Sequence, residues 1–272
     1  MIAVLIFAHK NMHQTRRLID KLKNESVDIY MHVDSKCDFN EDDFNDVKLL
    51  ERHDISWGNL NNVKLEVLMS SLKKIVDVGK YERIIYMSGQ DYLLRPIDEI
   101  VKFLKNNKKN YLSYGLVDQK HLMDRFLKYR FKNKILDRIS VKLSRRKNFY
   151  GDLDLYWGSE WWMLTADAVK IIVSEYFSKY RKYMKHTLCM DEMIWQTILL
   201  NSDLKNTIIN DNKWYITWND YLKGLNIGNP DILKEKDYED MIKSDKFFAR
   251  KFDVGVDSKI LDLLDKHISN GG

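Results

Sequence analysis

Asp191-Glu192 opens an apolar run of Met193, Ile194, Trp195, Ile198, Leu199 and Leu200, which reads as a helix spanning about 190–201. Carboxylates in a first helical turn complement the helix dipole, and that is the plain structural account. The chemical account is a carboxylate fixed on a rigid element at a cleft edge, where it can act as a general base. Arg250-Lys251 lies between Phe247-Phe248-Ala249 and Phe252. It reads either as a surface pair among buried aromatics or as a clamp on a diphosphate, whose charge both cations stabilise. Glu160 stands between Ser159 and Trp161-Trp162. Six of the seven tryptophans (Trp157, Trp161, Trp162, Trp195, Trp214 and Trp218) fall within residues 157–218. A carboxylate beside tryptophans suits a sugar, whose C–H face stacks on the ring while its hydroxyls bond the acid. An exposed glutamate beside core tryptophans is the bland alternative.

His32-Val33-Asp34 ends an apolar segment, where a carboxylate can accept from ribose hydroxyls or simply cap a turn. Asp152-Leu153-Asp154 has D-x-D spacing but lies in a loop rather than at a strand end. The strand end holds Ser88-Gly89-Gln90-Asp91-Tyr92, with a single carboxylate. G-x-x-x-x-G-K-S/T, G-x-G-x-x-G and H-E-x-x-H are all absent, which removes the usual signatures of ATP hydrolysis, nicotinamide chemistry and zinc proteolysis.

The elements that must position these residues alternate. Residues 2–8 read as a buried strand, 12–24 as an amphipathic helix and 27–33 as a second strand. A helix over 61–79, a strand over 83–87, a helix over 97–106 and a short strand over Tyr111–Tyr114 follow. This order predicts a doubly wound α/β sheet with ligands at the carboxyl ends of its strands, where His9, Asp34, Ser88 and Asp91 lie. The second half adds helices near 166–180 and 190–201, an aromatic segment from Trp214 to Tyr221, and the Phe247–Asp253 region.

With 272 residues, 44% hydrophobic and 31% charged, the chain has an ordinary globular composition. We expect one domain over 1–272, with a basic helical insertion at about 115–150. Residues 120–147 hold 11 basic side chains against Asp124 and Asp137, with Leu122, Phe126, Leu127, Phe131 and Ile135 interleaved near helical spacing. Such a segment suits an anionic partner. A nucleic-acid or anionic-polymer module is one reading, although a net charge of only +5 leaves most of the chain unexplained by it. Peripheral contact with an anionic membrane surface is another. Two cysteines, Cys37 and Cys189, and an N-terminal apolar run of only eight residues lead us to expect a cytoplasmic protein, neither exported nor membrane-spanning.

Taken in order, several stretches resemble glycosyltransferase family 14, the core-2/I-branching and peptide O-xylosyltransferase group. They are Ala8-His9-Lys10, His32-Val33-Asp34-Ser35-Lys36, Ser56-Trp57-Gly58, Ser88-Gly89-Gln90-Asp91-Tyr92, Gly158-Ser159-Glu160-Trp161, Asp191-Glu192 with Trp195-Gln196-Thr197, Ile216-Thr217-Trp218, Asn229-Pro230 and Phe248–Asp253. The resemblance implies a GT-A-type fold and an inverting transfer from a UDP-sugar, N-acetylglucosamine before xylose, to a glycan or lipid-linked glycan. It implies no metal and no other cofactor. Glu192 matches the family's catalytic base, and Arg250 and Lys251 its diphosphate-binding cations. Asp34 matches the uridine-contacting acid, with His9 and Asp91 also on the donor side. Glu160 matches an acceptor-site acid, with Trp161 and Trp218 beside it in role. Two departures stand out. No basic residue near Asn229-Pro230-Asp231 matches a further diphosphate-binding arginine of the core-2 branch, and the anchor, stem and many cysteines of eukaryotic members are missing. The latter points to a bacterial-type enzyme.

Overall fold

A computed structural model describes residues 1–55, 63–105, 107–118, 120–131, 133–143, 153–218 and 229–271. Ser56-Trp57-Gly58, Lys132, Arg145, Arg146, Lys147, Asp152 and Tyr221 lie outside the described residues. The first stretch holds β1 (Ile2–Ala8), α1 (Met12–Leu22), β2 (Val27–Val33), β3 (Lys48–Leu49), α2 (Val63–Asp77), β4 (Arg83–Ser88), β5 (Asp91–Leu93) and α3 (Ile97–Lys105). Next come β6 (Asn110–Tyr111), β7 (Gly115–Leu116), α4 (Lys120–Leu127), α5 (Lys134–Leu143), β8 (Tyr156–Trp157), β9 (Trp162–Thr165), α6 (Ala166–Glu175), α7 (Arg181–Met184) and α8 (Ile194–Leu200). The last are β10 (Ile208–Ile209), β11 (Trp214–Ile216), α9 (Tyr238–Lys243), β12 (Phe248–Arg250) and α10 (Lys259–Ser269).

The chain forms two compact units. The first comprises Met1–Arg52, Ile85–Lys108 and Lys213–Gly272. Its strands run β4-β1-β2-β3, with β1 parallel to β2 from Ile2↔Val27 to Ala8↔Val33 and β2 parallel to β3. All seven residues of β1 are buried, as an apolar run without alternation requires. The chain leaves β1 toward β2 on one side and returns as β4 on the other, so the topological switch point lies between β1 and β4. Gly89 sits there because a Cβ would meet the Thr15 Oγ1 at 2.5 Å and the Ala8 Cβ at 3.2 Å. A second sheet of this unit, β11-β12-β5, sets Arg250 directly opposite Asp91 in the antiparallel register of β12 with β5.

The second unit comprises His53–Ile84 and Lys109–Asn212. Here β10 runs parallel to β6, β6 antiparallel to β9, and β7 antiparallel to β8. Trp162 and Trp195 meet edge to face at 5.6 Å between ring centroids and are completely buried, so both are core residues.

The α/β class with a mixed, largely parallel strand arrangement agrees with the sequence reading, and several element boundaries do not. The strand expected over Tyr111–Tyr114 stops at Tyr111, because the Asn210 side chain takes the Tyr114 N–H at 2.8 Å in place of a ladder bond. The helix expected over 166–180 ends at Glu175 and continues as a π turn, Tyr176–Tyr180. The helix expected over 190–201 is a 3₁₀ turn, Met190–Glu192, followed by α8. Two features break it. The Met193 backbone is non-helical (φ −137°), and the Gly158 N–H donates to the Glu192 carbonyl at 2.8 Å, capturing an acceptor the helix would otherwise use.

Gly158 therefore tethers the backbone of Glu192, and it has no room for a side chain. A Cβ there would lie 2.0 Å from the Ser113 carbonyl oxygen, a backbone atom that cannot rotate away. Gly158→Ala is expected to destabilise the fold by about 2–3 kcal/mol, the upper part of the range for overpacking. A lowered urea midpoint at unchanged m-value checks this, and an unchanged midpoint would refute it.

Candidate functional site

In the first unit, three separate stretches of sequence are knitted together by two buried amides. The Gln14 Nε2 donates to the Gly89 and Phe252 carbonyls at 3.3 and 3.1 Å, and its Oε1 accepts from the Val254 N–H at 3.0 Å. The Gln90 Nε2 adds a bond to the Phe252 carbonyl at 3.2 Å. The segment after β1, the turn after β4 and the segment after β12 thus come to one place. Asp253 reinforces it by accepting from the Lys10 Nζ at 2.7 Å and the Asn11 Nδ2 at 2.9 Å. Asn11 takes a left-handed conformation (φ 51°), which this residue type tolerates better than most.

Arg250 and Asp91 form a buried ion pair at 2.7 Å, with side chains 6% and 0% exposed. Asp91 also accepts from the Ser88 N–H at 2.9 Å and the Trp214 Nε1 at 3.2 Å, so its oxygens are engaged inside the protein. Its role here is to hold the Arg250 guanidinium in place. Lys251, next in the chain, is only half-buried. Desolvation lowers its ammonium below the usual lysine range, and repulsion from Arg250 and Lys10 lowers it further. Cations that repel one another favour an anion that relieves them. Asp34, at the end of β2, is buried and accepts from the Lys36 N–H at 2.9 Å in a tight turn. The Arg52 guanidinium bonds the Asp34 carbonyl at 3.1 Å and the Cys37 carbonyl at 2.6 Å, which fixes that turn. His9 follows β1 and is partly exposed, and Trp218 belongs to this unit with 42% of its surface exposed.

The second unit gathers the other candidates. Glu192 closes the 3₁₀ turn and accepts from the Arg125 Nη1 at 2.5 Å, with 43% of its side-chain surface still reachable by water. Its neighbour Asp191 pairs with Lys64 at 2.9 Å, and the same ammonium pairs with Glu160. Lys64 also stands 5.8 Å from the Trp161 ring centroid, within cation–π range. Ser159 frames this corner. Its carbonyl accepts from the Gln196 Nε2 at 2.8 Å, and its Oγ accepts from the Asn212 Nδ2 at 2.9 Å and the Trp161 N–H at 3.1 Å.

Among the described residues, two cations, Lys64 and Arg125, pair with three carboxylates, Glu160, Asp191 and Glu192. Desolvation raises Glu192 above the ordinary carboxylate range, the Asp191 charge raises it further, and Arg125 pulls against both. Lys64 is held charged, since its two carboxylates outweigh the desolvation that opposes them. The same environment pushes the Cys189 thiol up to about 12, by desolvation first and then by Asp191 and Glu192. The result is a water-accessible carboxylate with heightened proton affinity, beside an acid and a tryptophan fixed by one lysine.

A family model described as "Branch: Core-2/I-Branching enzyme" matches residues 2–242. The chain belongs to this family. Human xylosyltransferase 2 is 25% identical over 299 aligned residues, covering 98% of this chain and 33% of that protein. Rat xylosyltransferase 1 is 22% identical, covering 97% of this chain and 35% of its own length. The chain spans about a third of the length of the curated relatives it matches. Membership of the Core-2/I-branching family makes this a glycosyltransferase-family chain, in agreement with the resemblance read from its motifs.

The structure brings Asp91, Arg250 and Lys251 together in one unit, and Glu160, Trp161 and Glu192 together in the other. Sequence reasoning missed Lys64, the pairing of Arg125 with Glu192, and Lys10 as a third cation. Arg125 was visible only as one of 11 bases, and Lys10 only as part of a motif. Among the described residues, no group of three or more His, Cys, Asp or Glu side chains converges as a metal site; Asp154 is described but Asp152 is not.

The Glu192 carboxyl is expected to titrate above the ordinary glutamate value. Arg125→Gln should raise its pKa further, because its direct partner, the larger of the two cationic influences pulling it down, is gone. Asp191→Asn should lower it. Carbon-13 NMR of labelled glutamate side chains reads all three, and a downward shift in Arg125→Gln would refute this electrostatic account.

Proposed function

We propose that this chain is an inverting, metal-independent glycosyltransferase that moves a sugar from a UDP-sugar to a glycan or lipid-linked glycan hydroxyl. The observation that carries the reading is Glu192: a carboxylate open to water, with raised proton affinity, held by Arg125 and tethered through its backbone to Gly158. Glu192 takes the acceptor proton as that oxygen attacks the anomeric carbon, and UDP departs from the opposite face. The raised proton affinity suits this task, since a base works best when its pKa lies near the working pH. The acceptor hydroxyl must displace Arg125 from this carboxylate, and loss of that contact raises the proton affinity of Glu192 further.

Lys251 and Arg250, with Lys10 adding to the local positive charge, neutralise the diphosphate as it leaves, the part a divalent cation plays elsewhere. Arg250 does so from a position fixed by Asp91. Asp34 and His9, at the carboxyl ends of β2 and β1, are assigned to the nucleoside side of the donor. Glu160, Trp161 and Trp218 are assigned to the acceptor, and Lys64 to holding Glu160 in place. The similarity to xylosyltransferases supports UDP-xylose as donor alongside UDP-N-acetylglucosamine. On this reading both units serve one catalytic domain, and a lipid-linked acceptor would bring the enzyme to a membrane surface.

Glu192→Gln keeps shape and hydrogen bonding but cannot take the proton. Transfer measured in excess EDTA should fall ~10²–10⁴-fold in this variant while UDP binding persists. Near-normal turnover in the variant, or wild-type transfer that requires added Mn²⁺, would refute the mechanism.

Lys251→Ala should weaken UDP binding by roughly 10- to 150-fold, the value of a charge-assisted bond of about 1.5–3 kcal/mol, and leave uridine binding nearly unchanged. Calorimetry with both ligands separates the cases, since equal losses would mean general damage. Lys251 is the informative position because Arg250→Ala would also strand Asp91 in the core.

A further inference from the structure

Helix α5 carries its apolar side outward. None of its residues is buried. The side turned to the protein carries Asp137 and Ser140 with a half-buried Val141, and polar contacts anchor it. Asp137 accepts from the Arg130 Nε at 2.9 Å, the Arg130 Nη2 at 3.0 Å and the Phe131 N–H at 2.9 Å, and the Ser140 Oγ donates to the Tyr129 carbonyl at 2.9 Å. The other side exposes Ile135 (70%), Leu136 (54%), Ile139 (50%) and Leu143 (82%). At about 100° per residue these four share an arc of roughly 100°, and Lys134, Arg138 and Lys142 occupy the adjoining arc on one flank. All three basic residues are exposed.

A helix in a globular protein turns its apolar stripe to the core, so a stripe held outward by polar anchors needs an apolar medium outside the fold. The flanking cations say which. A second copy of this chain would bring the same positive flank near itself, and like charges oppose that. An anionic lipid surface satisfies both arcs at once, since apolar side chains enter the acyl boundary while lysine and arginine reach the phosphates. We propose that α5 docks this chain on an anionic bilayer, with Ile135, Leu136, Ile139 and Leu143 inserted and Lys134, Arg138 and Lys142 at headgroup level. The bilayer contact stands on α5 alone. That it delivers the enzyme to a lipid-linked acceptor rests on the transferase reading above.

Co-flotation of the full chain with vesicles tests it, comparing phosphatidylcholine alone with phosphatidylcholine plus phosphatidylglycerol. The wild type should float with the anionic vesicles at low salt and release as salt rises. Lys134→Gln, Arg138→Gln and Lys142→Gln together should weaken partitioning by on the order of 100-fold, about fivefold for each basic residue near the surface. Ile139→Gln with Leu143→Gln should weaken it on the order of tenfold or more, because inserted apolar area is lost. All of these positions face away from the protein, so UDP binding should be unchanged in every variant. Three outcomes would overturn the proposal: no wild-type flotation at low salt, an Ile139→Gln/Leu143→Gln variant that floats like wild type, or a wild-type dimer that this variant dissolves. Transfer to a soluble acceptor, measured without vesicles, keeps failure of the transferase reading separate.

Discussion

Lys64 occupies a place that only charge compensation makes tolerable. Its ammonium is largely removed from water and would be costly there alone, but Glu160 and Asp191 meet it from two directions. Each partner in turn depends on the lysine. One ammonium thereby fixes the start of α2, the turn that follows β8, and the 3₁₀ turn that carries Glu192. The geometry at Glu192 follows from this arrangement, because Asp191 must face Lys64 for the next side chain to project toward Arg125. Its proton affinity follows from burial first and then from the Asp191 charge held beside it, with Arg125 and Lys64 pulling the other way.

The first unit uses the same device for the opposite sign. Asp91 is entirely buried and acceptable there because the β12–β5 register delivers Arg250 opposite it. Asp253 performs the partly exposed version, drawing in Lys10 and Asn11. Each carboxylate organises a cation that would otherwise be held apart from its neighbours by repulsion. Lys251 lies among these cations, and their field adds to desolvation in weakening its hold on its proton. In both units, buried ionic contacts set where the candidate residues stand, while apolar strands and helices supply the frame.

The frame was legible in the sequence. An apolar run without alternation, as in Ile2–Ala8, has few options other than a strand covered on both faces, and β1 and β2 appear where the residues placed them. Motifs such as Ala8-His9-Lys10, His32–Lys36 and Ser88–Tyr92 were legible too, because they sit at strand ends or tight turns that demand particular residue types. The break at Glu192 was not, since it depends on a backbone bond from Gly158, which no local pattern announces. Lys64 was invisible for the same reason, as its partners are brought to it only by folding. The basic segment was legible as charge but not as direction. Its apolar positions looked like one continuous phase from Leu122 to Ile135, whereas the chain divides between α4 and α5. Leu122 is buried and Ile135 is exposed, because the phase of one helix does not carry into the next.

The thiol of Cys189 shows what burial beside these carboxylates does to chemistry other than their own. Thiols react with oxidants and alkylating agents as thiolates, and a value near 12 leaves about one in 10⁵ of these sulfurs ionised at neutral pH. That small ionised fraction disfavours oxidation and alkylation of a cysteine that lies three residues from Glu192. The burial and negative charge that raise Glu192 also hold this sulfur in the thiol form.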